Sequence, residues 1–288
     1  MTSNREGQYG VAEQTSATGL IAQCAERIRL AGYAVLPGGY TPAELADLSG
    51  RLDGVMNRQV AEFGGSDRMA AIGETLTARC PLLYDDAFVG LASYPDVLAL
   101  ARELLGSYVV LMQQNGVINP PRQEHTQLAY HRDLPYQHFV SSRPLAVSAL
   151  FCIDPFRIDN GATTVIPGSH KAEAFPSAAI AAQLDTPVTA EPGSFIVFDS
   201  MLFHRAGANQ SDRPRRGVNH VFTVPIIAQQ ISLPEALAGR YAADKTLAEL
   251  FGYQVSPASS VLAWRERRLA RMRPLTLQTT EDGGKANS

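Results

Sequence analysis

Two histidines and one aspartate in this chain have the types and the spacing of a metal-binding site. His131 and Asp133 form a His-x-Asp motif. Residues i and i+2 of an extended strand point to the same side, so both side chains can converge on one atom. His204, 71 residues further on (204 − 133 = 71), supplies a third ligand. Two histidines and one carboxylate leave three adjacent positions open on an octahedral metal, a ligand set typical of non-haem Fe(II) oxygenases. The three residues therefore predict an iron centre.

A group of arginines follows the third candidate ligand. Arg215 lies eleven residues after His204, and Arg216 follows it directly. Neighbouring residues of a strand point to opposite faces, so only one of the two faces inward, and spacing alone does not choose. A guanidinium grips a carboxylate with two parallel, charge-assisted hydrogen bonds. An inward-facing arginine would suit a dicarboxylate cosubstrate whose other end chelates the metal, whereas a solvated arginine face is the alternative.

Composition and charge exclude several classes of function. The chain has 288 residues, of which 45% are hydrophobic and 18% are charged, as in a soluble globular protein. The net charge of −3 provides no basic stripe for nucleic acid and no polybasic segment for a membrane surface. No apolar run approaches the roughly 18 residues that span a bilayer, and the first residues are polar and lack an apolar signal core. We therefore expect a cytoplasmic protein that acts on a small molecule.

The three cysteines support this expectation. Cys24, Cys80 and Cys152 are far apart, odd in number and without Cys-x-x-Cys spacing. This pattern indicates neither a disulfide framework nor a zinc knuckle. We expect reduced, buried thiols.

Apolar spacing predicts helices towards both ends of the chain and short strands between them. Helices are expected at residues 19–30, 41–56, 95–105, 234–250 and 257–272. Strands are expected at residues 108–119, 127–133, 145–153, 163–166, 194–198, 201–206 and 216–224. Residues 64–94 have no clear pattern. Because alternating β-α units are absent, a Rossmann sheet is disfavoured. The chain is predicted to be mainly β with flanking helices: a double-stranded β-helix, the cupin-like jelly roll.

We expect one domain. It covers residues 17–275, with buttressing helices at both ends, because the chain contains neither an internal repeat nor a low-complexity linker. Residues 1–16 and 276–288 are polar and are expected to be disordered tails. The sequence leaves the oligomeric state open, and a homo-oligomer is possible.

Four motifs occur in a fixed order. These are His131-Arg-Asp133, the block Asn-Gly-Ala-Thr-Thr-Val-Ile-Pro-Gly-Ser-His-Lys at residues 160–171, the run Pro-Gly-Ser-Phe-Ile-Val-Phe-Asp at residues 192–199, and His204 followed by Arg215. Together, from about residue 32 to residue 225, the chain resembles the phytanoyl-CoA dioxygenase family of Fe(II)- and 2-oxoglutarate-dependent oxygenases. The Asn-Gly to His-Lys block is the most specific part of the resemblance.

The resemblance implies roles for individual residues. The metal triad would be His131, Asp133 and His204, and the arginine that binds 2-oxoglutarate would be Arg215. Polar contacts to the cosubstrate would come from Thr163, Gln114 and Gln127, although an exposed strand residue is an equal alternative for Gln127. Aromatic residues near the ligands are candidate walls of the substrate pocket, with ordinary core packing as the alternative: Tyr130, Tyr136, Phe139 and Phe203.

Three positions refine the expected chemistry. Many family members have Trp where this chain has Tyr130, and many have Ser where this chain has Ala206, which removes one hydroxyl contact to the cosubstrate. Relatives that halogenate replace the metal-binding carboxylate with a small residue, so Asp133 disfavours halogenation. The resemblance thus implies a dioxygenase that uses Fe(II), 2-oxoglutarate and O2 to oxidise a C–H bond of a metabolite, with a role in natural-product biosynthesis.

Two other functions remain open from the sequence. A cupin-like isomerase or hydrolase with another divalent metal would not depend on 2-oxoglutarate and would form no succinate. A non-catalytic jelly-roll module would bind a small molecule and hold no metal. The intact triad and Arg215 disfavour this last alternative.

Overall fold

The computed structural model describes residues 17–134 and 138–272. The described residues up to 254 form one compact unit, and residues 255–272 belong to a second unit, which contains one helix. The expectation of a single domain over residues 17–275 stays a prediction, and the two predicted tails lie outside the described residues.

In the first unit, helices prevail up to residue 105 and after residue 223, and strands prevail between them. The strands are β1 Tyr33–Leu36, β2 Thr77–Arg79, β3 Val110–Asn119, β4 Ala146–Cys152, β5 Thr164–Val165, β6 Thr186–Pro187, β7 Phe195–Asp199, β8 His204–Arg205 and β9 Arg215–Thr223. The helices are α1 Leu20–Ala31, α2 Pro42–Phe63, α3 Ser66–Ala71, α4 Ala87–Ala92, α5 Pro95–Leu105, α6 Ala178–Leu184, α7 Leu233–Ala236 and α8 Lys245–Leu250, with α9 Val261–Arg271 in the second unit.

The strands form two antiparallel sheets. The larger sheet has the order β1-β7-β4-β9-β3-β2, and the smaller one has the order β6-β5-β8. All residues of β4 and β7 are buried, so both faces of these central strands are covered. In the larger sheet β3 pairs with β9 from Val110↔Thr223 to Asn119↔Arg215. These antiparallel sheets with flanking helices confirm the predicted double-stranded β-helix.

Helices α1, α2 and α5 contribute to one core with the strands. Their inward residues, such as Ile28, Leu52 and Leu100, belong to a single buried apolar cluster that also contains Phe151 of β4 and Phe195 of β7. Burial of such side chains stabilises the fold by roughly 1.5–3 kcal/mol each.

The helix boundaries follow from local chemistry. Thr41 and Glu44 form a capping box at the start of α2, with Pro42 at the first helical position. Helix α1 ends at Gly32, whose φ of 91° is in the left-handed region. A Cβ at Gly32 would lie 2.5 Å from Leu202 Cδ1, so only glycine fits there.

Some predicted elements differ in the structure. Residues 127–133 do not form a regular strand, because only His131 bridges to the facing chain after a short 3-10 turn at Thr126–Leu128. The unassigned residues 64–94 contain α3, β2 and α4, and the helix predicted at residues 234–250 is divided into α7 and α8. The three cysteines are free and buried. Among the described helices none has the length and apolar character that a membrane span requires.

Candidate active site

His131 and His204 lie opposite each other on an antiparallel bridge. The His131 amide donates to the His204 carbonyl at 2.9 Å, and the His204 amide donates to the His131 carbonyl at 3.1 Å. The ring Nδ1 of His131 lies 3.0 Å from the Ala129 carbonyl, and that of His204 lies 3.0 Å from the Leu202 carbonyl. Because a carbonyl oxygen only accepts, each Nδ1 carries the proton and each Nε2 keeps a free lone pair. Both rings are thus prepared to bind a metal through Nε2.

Asp133 directs one carboxylate oxygen at the two histidines. Its Oδ1 lies 3.4 Å from His204 Nε2 and 3.9 Å from His131 Nε2. Its Oδ2 accepts hydrogen bonds from Ser148 Oγ at 2.5 Å and from Asn219 Nδ2 at 2.9 Å. The carboxylate therefore uses one oxygen for support and leaves the other for a ligand, an arrangement common behind metal-binding carboxylates.

The charge state of Asp133 suits a metal ligand. Burial acts to raise the pKa of Asp133, but the nearby His204 and His131 rings and the Ser148 hydroxyl outweigh burial and lower it. The carboxylate is consequently ionised at neutral pH. Burial and the neighbouring His204 lower the pKa of His131, which keeps this ring neutral.

The three side chains together fit a divalent metal. Their potential ligand atoms, one on each of His131, Asp133 and His204, all lie within 4.8 Å of one another. Two imidazole nitrogens and one carboxylate oxygen form the donor set of non-haem Fe(II) sites. The hydrogen bonds of Asp133 Oδ2 and of both Nδ1 atoms leave Asp133 Oδ1 and the two Nε2 atoms facing one another, so the residues fit Fe(II).

Arg215 is buried in the same pocket and lacks acceptors. Its side-chain Nε and Nη1 have no hydrogen-bond partner, and no described carboxylate lies within ion-pair distance of its guanidinium. Burial lowers its pKa to about 10, against the opposing influence of Cys152 and Asp154. The guanidinium lies 3.9 Å from the centre of the Phe156 ring. A buried, unpaired cation is costly, and an anionic ligand would compensate it.

The structure decides which of the two arginines faces inward. Arg216 points away from the pocket and forms a bidentate ion pair with Asp53 at 2.8 and 2.9 Å. Arg215 lines the pocket, together with the metal ligands. The alternation of strand residues predicted that only one of the two arginines faces the pocket. Its burial shows that this arginine is Arg215.

Two of the predicted polar residues also line this pocket. Thr163 is buried beside β5, and Gln127 is exposed at the pocket edge. The carbonyl of Gln127 accepts the Ala206 amide at 2.8 Å. Both positions are compatible with contacts to a cosubstrate, and those contacts stay predictions. Apolar walls come from Val117, Leu150 and Phe198, among others.

Gln114 requires a correction. Its amide is fully buried outside the pocket, where Nε2 donates to the Phe88 carbonyl at 2.8 Å and Oε1 accepts from the Leu82 amide at 2.9 Å. Both ends of the side chain are thus used to hold the segment before α4 against β3. Gln114 therefore supports the fold and does not line the pocket.

The predicted aromatic wall residues that the structure describes are not among those that line the pocket of the three candidate ligands, and their role at a substrate stays a prediction. Tyr130 and Phe203 each contact the Phe175 ring, at 5.2 and 5.0 Å between centres. Phe139 is 45% exposed and lies outside the pocket lining. Tyr136 lies outside the described residues. Because strand neighbours alternate in direction, residues beside a metal ligand face away from the metal.

Several residues of the candidate site were not predicted from the sequence. Asn219 and Ser148 hold Asp133, and His125 and Asn119 line the pocket with Arg215. The strand period offered one signal, since Asn219 lies four positions after Arg215 on β9 and therefore on the same face. Ser148 and His125 carry no comparable local signal.

Comparison with known proteins identifies the family. A model of the family described as phytanoyl-CoA dioxygenase (PhyH) matches residues 28–217. The uncharacterized protein Rv1501 of Mycobacterium tuberculosis is 36% identical over 220 residues, which cover 75% of this chain and 80% of that protein. Dioxygenase cdmD of Talaromyces verruculosus is 35% identical over 95 residues, which cover 33% and 31% of the two chains.

Solved structures share the fold. The structure of EctD from S. alaskensis with 2-oxoglutarate and 5-hydroxyectoine has a TM-score of 0.60 and 23% identity, covering 74% of this chain and 79% of that one. The non-haem alpha-ketoglutarate-dependent epimerase SnoN from nogalamycin biosynthesis has a TM-score of 0.54 and 24% identity, covering 70% and 82%. With these matches and a site that fits iron, this chain belongs to the phytanoyl-CoA dioxygenase family and is a non-haem Fe(II)- and 2-oxoglutarate-dependent dioxygenase.

Proposed function

We propose that His131, Asp133 and His204 hold the Fe(II), that Arg215 anchors the far carboxylate of 2-oxoglutarate, and that the enzyme oxidises a C–H bond of a small metabolite. One observation carries this proposal. Three potential ligand atoms, one each on His131, Asp133 and His204, share a pocket with a buried arginine whose Nε and Nη1 have no acceptor. A dianion that chelates the metal at one end and meets a guanidinium at the other would satisfy both groups.

The protein's own residues position the reactants. Bound Fe(II) and 2-oxoglutarate supply the oxidising power, because oxidative decarboxylation of the cosubstrate with O2 gives succinate and CO2 and drives C–H oxidation. The backbone bridge between His131 and His204 holds two ligands at a constant spacing. Asn219 and Ser148 orient Asp133, and Thr163 and Gln127 are proposed to contact the cosubstrate near Arg215.

Natural-product biosynthesis is the proposed setting. Similar proteins support it in part: SnoN acts in nogalamycin biosynthesis, and fungal relatives such as cdmD are named dioxygenases. The apolar pocket walls Val117, Leu150 and Phe198 favour a substrate with an apolar reacting carbon. Hydroxylation, desaturation, epoxidation and ring chemistry all begin at such a carbon.

Anaerobic titration tests the proposal. Addition of 2-oxoglutarate to the Fe(II)-loaded protein is expected to give a weak visible charge-transfer band. The His131→Ala variant should lose the band, and Arg215→Met should raise the dissociation constant of 2-oxoglutarate roughly a hundredfold, since charge-assisted hydrogen bonds contribute about 1.5–3 kcal/mol each. Arg213→Met is the matched control, because Arg213 is exposed two residues before Arg215 and outside β9.

The outcomes separate the proposal from its alternatives. If 2-oxoglutarate leaves the spectrum unchanged and no succinate forms with O2, a cupin-like isomerase or hydrolase is favoured. If the protein retains no divalent metal after anaerobic reconstitution, a non-catalytic binding module is favoured. If Arg215→Met and Arg213→Met bind 2-oxoglutarate like the wild type, Arg215 is not the anchor.

A further inference from the structure

His125 lies in the pocket with a defined ring orientation. Its Nε2 is 3.0 Å from Asn119 Oδ1. The Asn119 amide cannot be turned around, because its Nδ2 donates to the carbonyls of Gly207 at 2.9 Å and Gly161 at 3.3 Å. Asn119 Oδ1 is therefore an acceptor, and His125 Nε2 must carry a proton. In the neutral ring, Nδ1 of His125 is then an unprotonated acceptor.

That Nδ1 atom is buried and has no hydrogen-bond partner. His125 lines the pocket together with Arg215, whose Nε and Nη1 also lack partners. Unsatisfied buried polar atoms cost stability, so their presence on two residues of one pocket favours a polar ligand there. Ala206 lines the same pocket and offers no side-chain hydrogen bond.

The charges around His125 explain its state before the ligand binds. Burial and the positive charge of Arg215 on β9 lower the pKa of His125, and Glu124 of its own loop opposes them. Without an anion in the pocket the ring is thus neutral at physiological pH. A carboxylate placed beside Arg215 would reverse this balance, because it favours an N–H donor at Nδ1.

We infer that His125 takes up a proton from solvent when 2-oxoglutarate binds, and that the resulting Nδ1–H donates to the far carboxylate beside Arg215. This inference rests on the proposed function, since it needs 2-oxoglutarate at Arg215. No covalent bond changes: one proton moves from water to His125 Nδ1. His125 becomes a second anchor that takes the place of the hydroxyl that Ala206 lacks.

Proton uptake has a definite pH signature. The pKa of His125 lies below its usual value in the free protein, and according to the inference it rises in the complex. Between these two pKa values, binding takes up close to one proton, and affinity for 2-oxoglutarate falls up to tenfold for each unit of rising pH. Outside this pH interval, the protonation of His125 does not change the affinity for 2-oxoglutarate.

Calorimetry on the metal-loaded, oxygen-free protein tests the inference. Titrations of 2-oxoglutarate in buffers of different ionisation heat give the number of protons taken up at each pH from 6 to 8. The control ligand is 2-oxobutyrate, which chelates the metal in the same way but lacks the far carboxylate. We expect uptake with 2-oxoglutarate and none with 2-oxobutyrate; equal uptake with both ligands would place the proton at the metal and overturn the inference.

Two isosteric variants sharpen the test. In His125→Asn the amide nitrogen can take the place of Nδ1 and donate without a proton, so binding should persist with no uptake and no pH dependence from 6 to 8. In His125→Gln the amide can keep the Asn119 contact but leaves the Nδ1 place empty, so affinity should fall several-fold. Wild-type proton uptake in His125→Asn would overturn the inference.

A failure of the inference is distinguishable from a failure of the proposed function. If Arg215→Met weakens 2-oxoglutarate binding while both His125 variants behave like the wild type, the proposed anchor stands and the role of His125 is refuted. If Arg215→Met leaves 2-oxoglutarate binding unchanged, the proposed role of Arg215 fails, and the inference about His125 fails with it. Circular dichroism of each variant verifies that the protein remains folded.

Discussion

The backbone groups of His131 and His204 bond to each other in both directions, at 2.9 and 3.1 Å. This bridge sets the spacing of two metal ligands without help from their side chains. Tyr130 and Arg205, one step along each segment, face each other on the opposite side, where Asp185 accepts hydrogen bonds from both. Asp133 therefore lies on the side of the bridge where the two histidine rings point, and Asp185 binds the neighbouring residues on the other side.

Removal of the Asn219 amide should weaken the metal site. In Asn219→Ala the Asp133 Oδ2 loses one of its two hydrogen bonds and the carboxylate can rotate. We expect metal affinity to fall roughly 10- to 100-fold, as is usual for partners that orient a ligand. Competition with a coloured chelator measures the loss, and Ser148→Ala should behave alike. Unchanged affinity in both variants would contradict this role.

Loss of Asp185 should weaken the attachment of α6 and the residues around its end to the rest of the first unit. Asp185 follows α6 directly, and its ion pair with Arg205 at 2.5 Å joins this segment to β8. In Asp185→Ala we expect faster limited proteolysis within residues 172–187, because the connection to both ligand-bearing segments is lost. The control is Asp159→Ala, which breaks an exposed ion pair with Arg157. Equal cleavage of the two variants would show that Asp185 is not needed.

Substitution of Gln114 should affect stability and spare the site. In Gln114→Leu the Leu82 amide and the Phe88 carbonyl lose their buried partner. Each of the two orphaned groups costs about 1–3 kcal/mol, so the free energy of unfolding should fall by about 2–6 kcal/mol in urea titrations. Binding of 2-oxoglutarate to the folded variant should be unchanged.

Substitution of Gln127 should have the opposite effect: it should spare stability and affect the binding of 2-oxoglutarate. Gln127 is exposed at the pocket, so its truncation should leave the free energy of unfolding within about 0.5 kcal/mol of the wild type. It should weaken 2-oxoglutarate binding several-fold if it contacts the cosubstrate. If the folded Gln114→Leu variant binds 2-oxoglutarate more weakly instead, Gln114 has a role at the cosubstrate.

His220 should make the protein acid-sensitive. Its ring is fully buried on β9, Nδ1 lies 3.0 Å from the Ala149 carbonyl, and burial lowers its pKa to about 4. The unfolded chain binds the proton near pH 6.5. The stability contributed by the neutral ring is thus fully present above pH 6.5 and is lost as pH falls from 6.5 to 4, by about 3 kcal/mol.

Unfolding titrations at a series of pH values measure this loss. His220→Asn keeps a donor near the Nδ1 place and removes the titration, so its stability should vary less between pH 6.5 and 4 than that of the wild type. His138→Gln is the control, because His138 is exposed. A wild-type pH profile in His220→Asn would exclude His220 as the acid-sensitive group.

Part of the candidate metal site could be predicted from the sequence because its geometry is local. His131 and Asp133 lie two residues apart, and this spacing alone brings two donors to one side of an extended chain. His204 and Arg215 were found through their order and spacing in a resemblance to a known family. The double-stranded β-helix followed from short β-rich runs between helices, since their period is also a local property.

Only the tertiary structure decided which side of each strand meets the pocket. Alternation divides Arg215 from Arg216, but burial beside Phe156 and the ion pair with Asp53 assign their sides. The family resemblance implied a cosubstrate contact for Gln114, yet Leu82 and Phe88, far from it in sequence, occupy its amide.

The state of His125 depends on contacts between distant segments. The carbonyls of Gly161 and Gly207 orient Asn119, and Asn119 in turn determines which nitrogen of His125 carries the proton. Those segments are 42 and 88 residues away from Asn119 in the chain. Sequence spacing determines which atoms can face one another along a strand, whereas hydrogen bonds between distant segments determine which atoms remain free to bind a ligand.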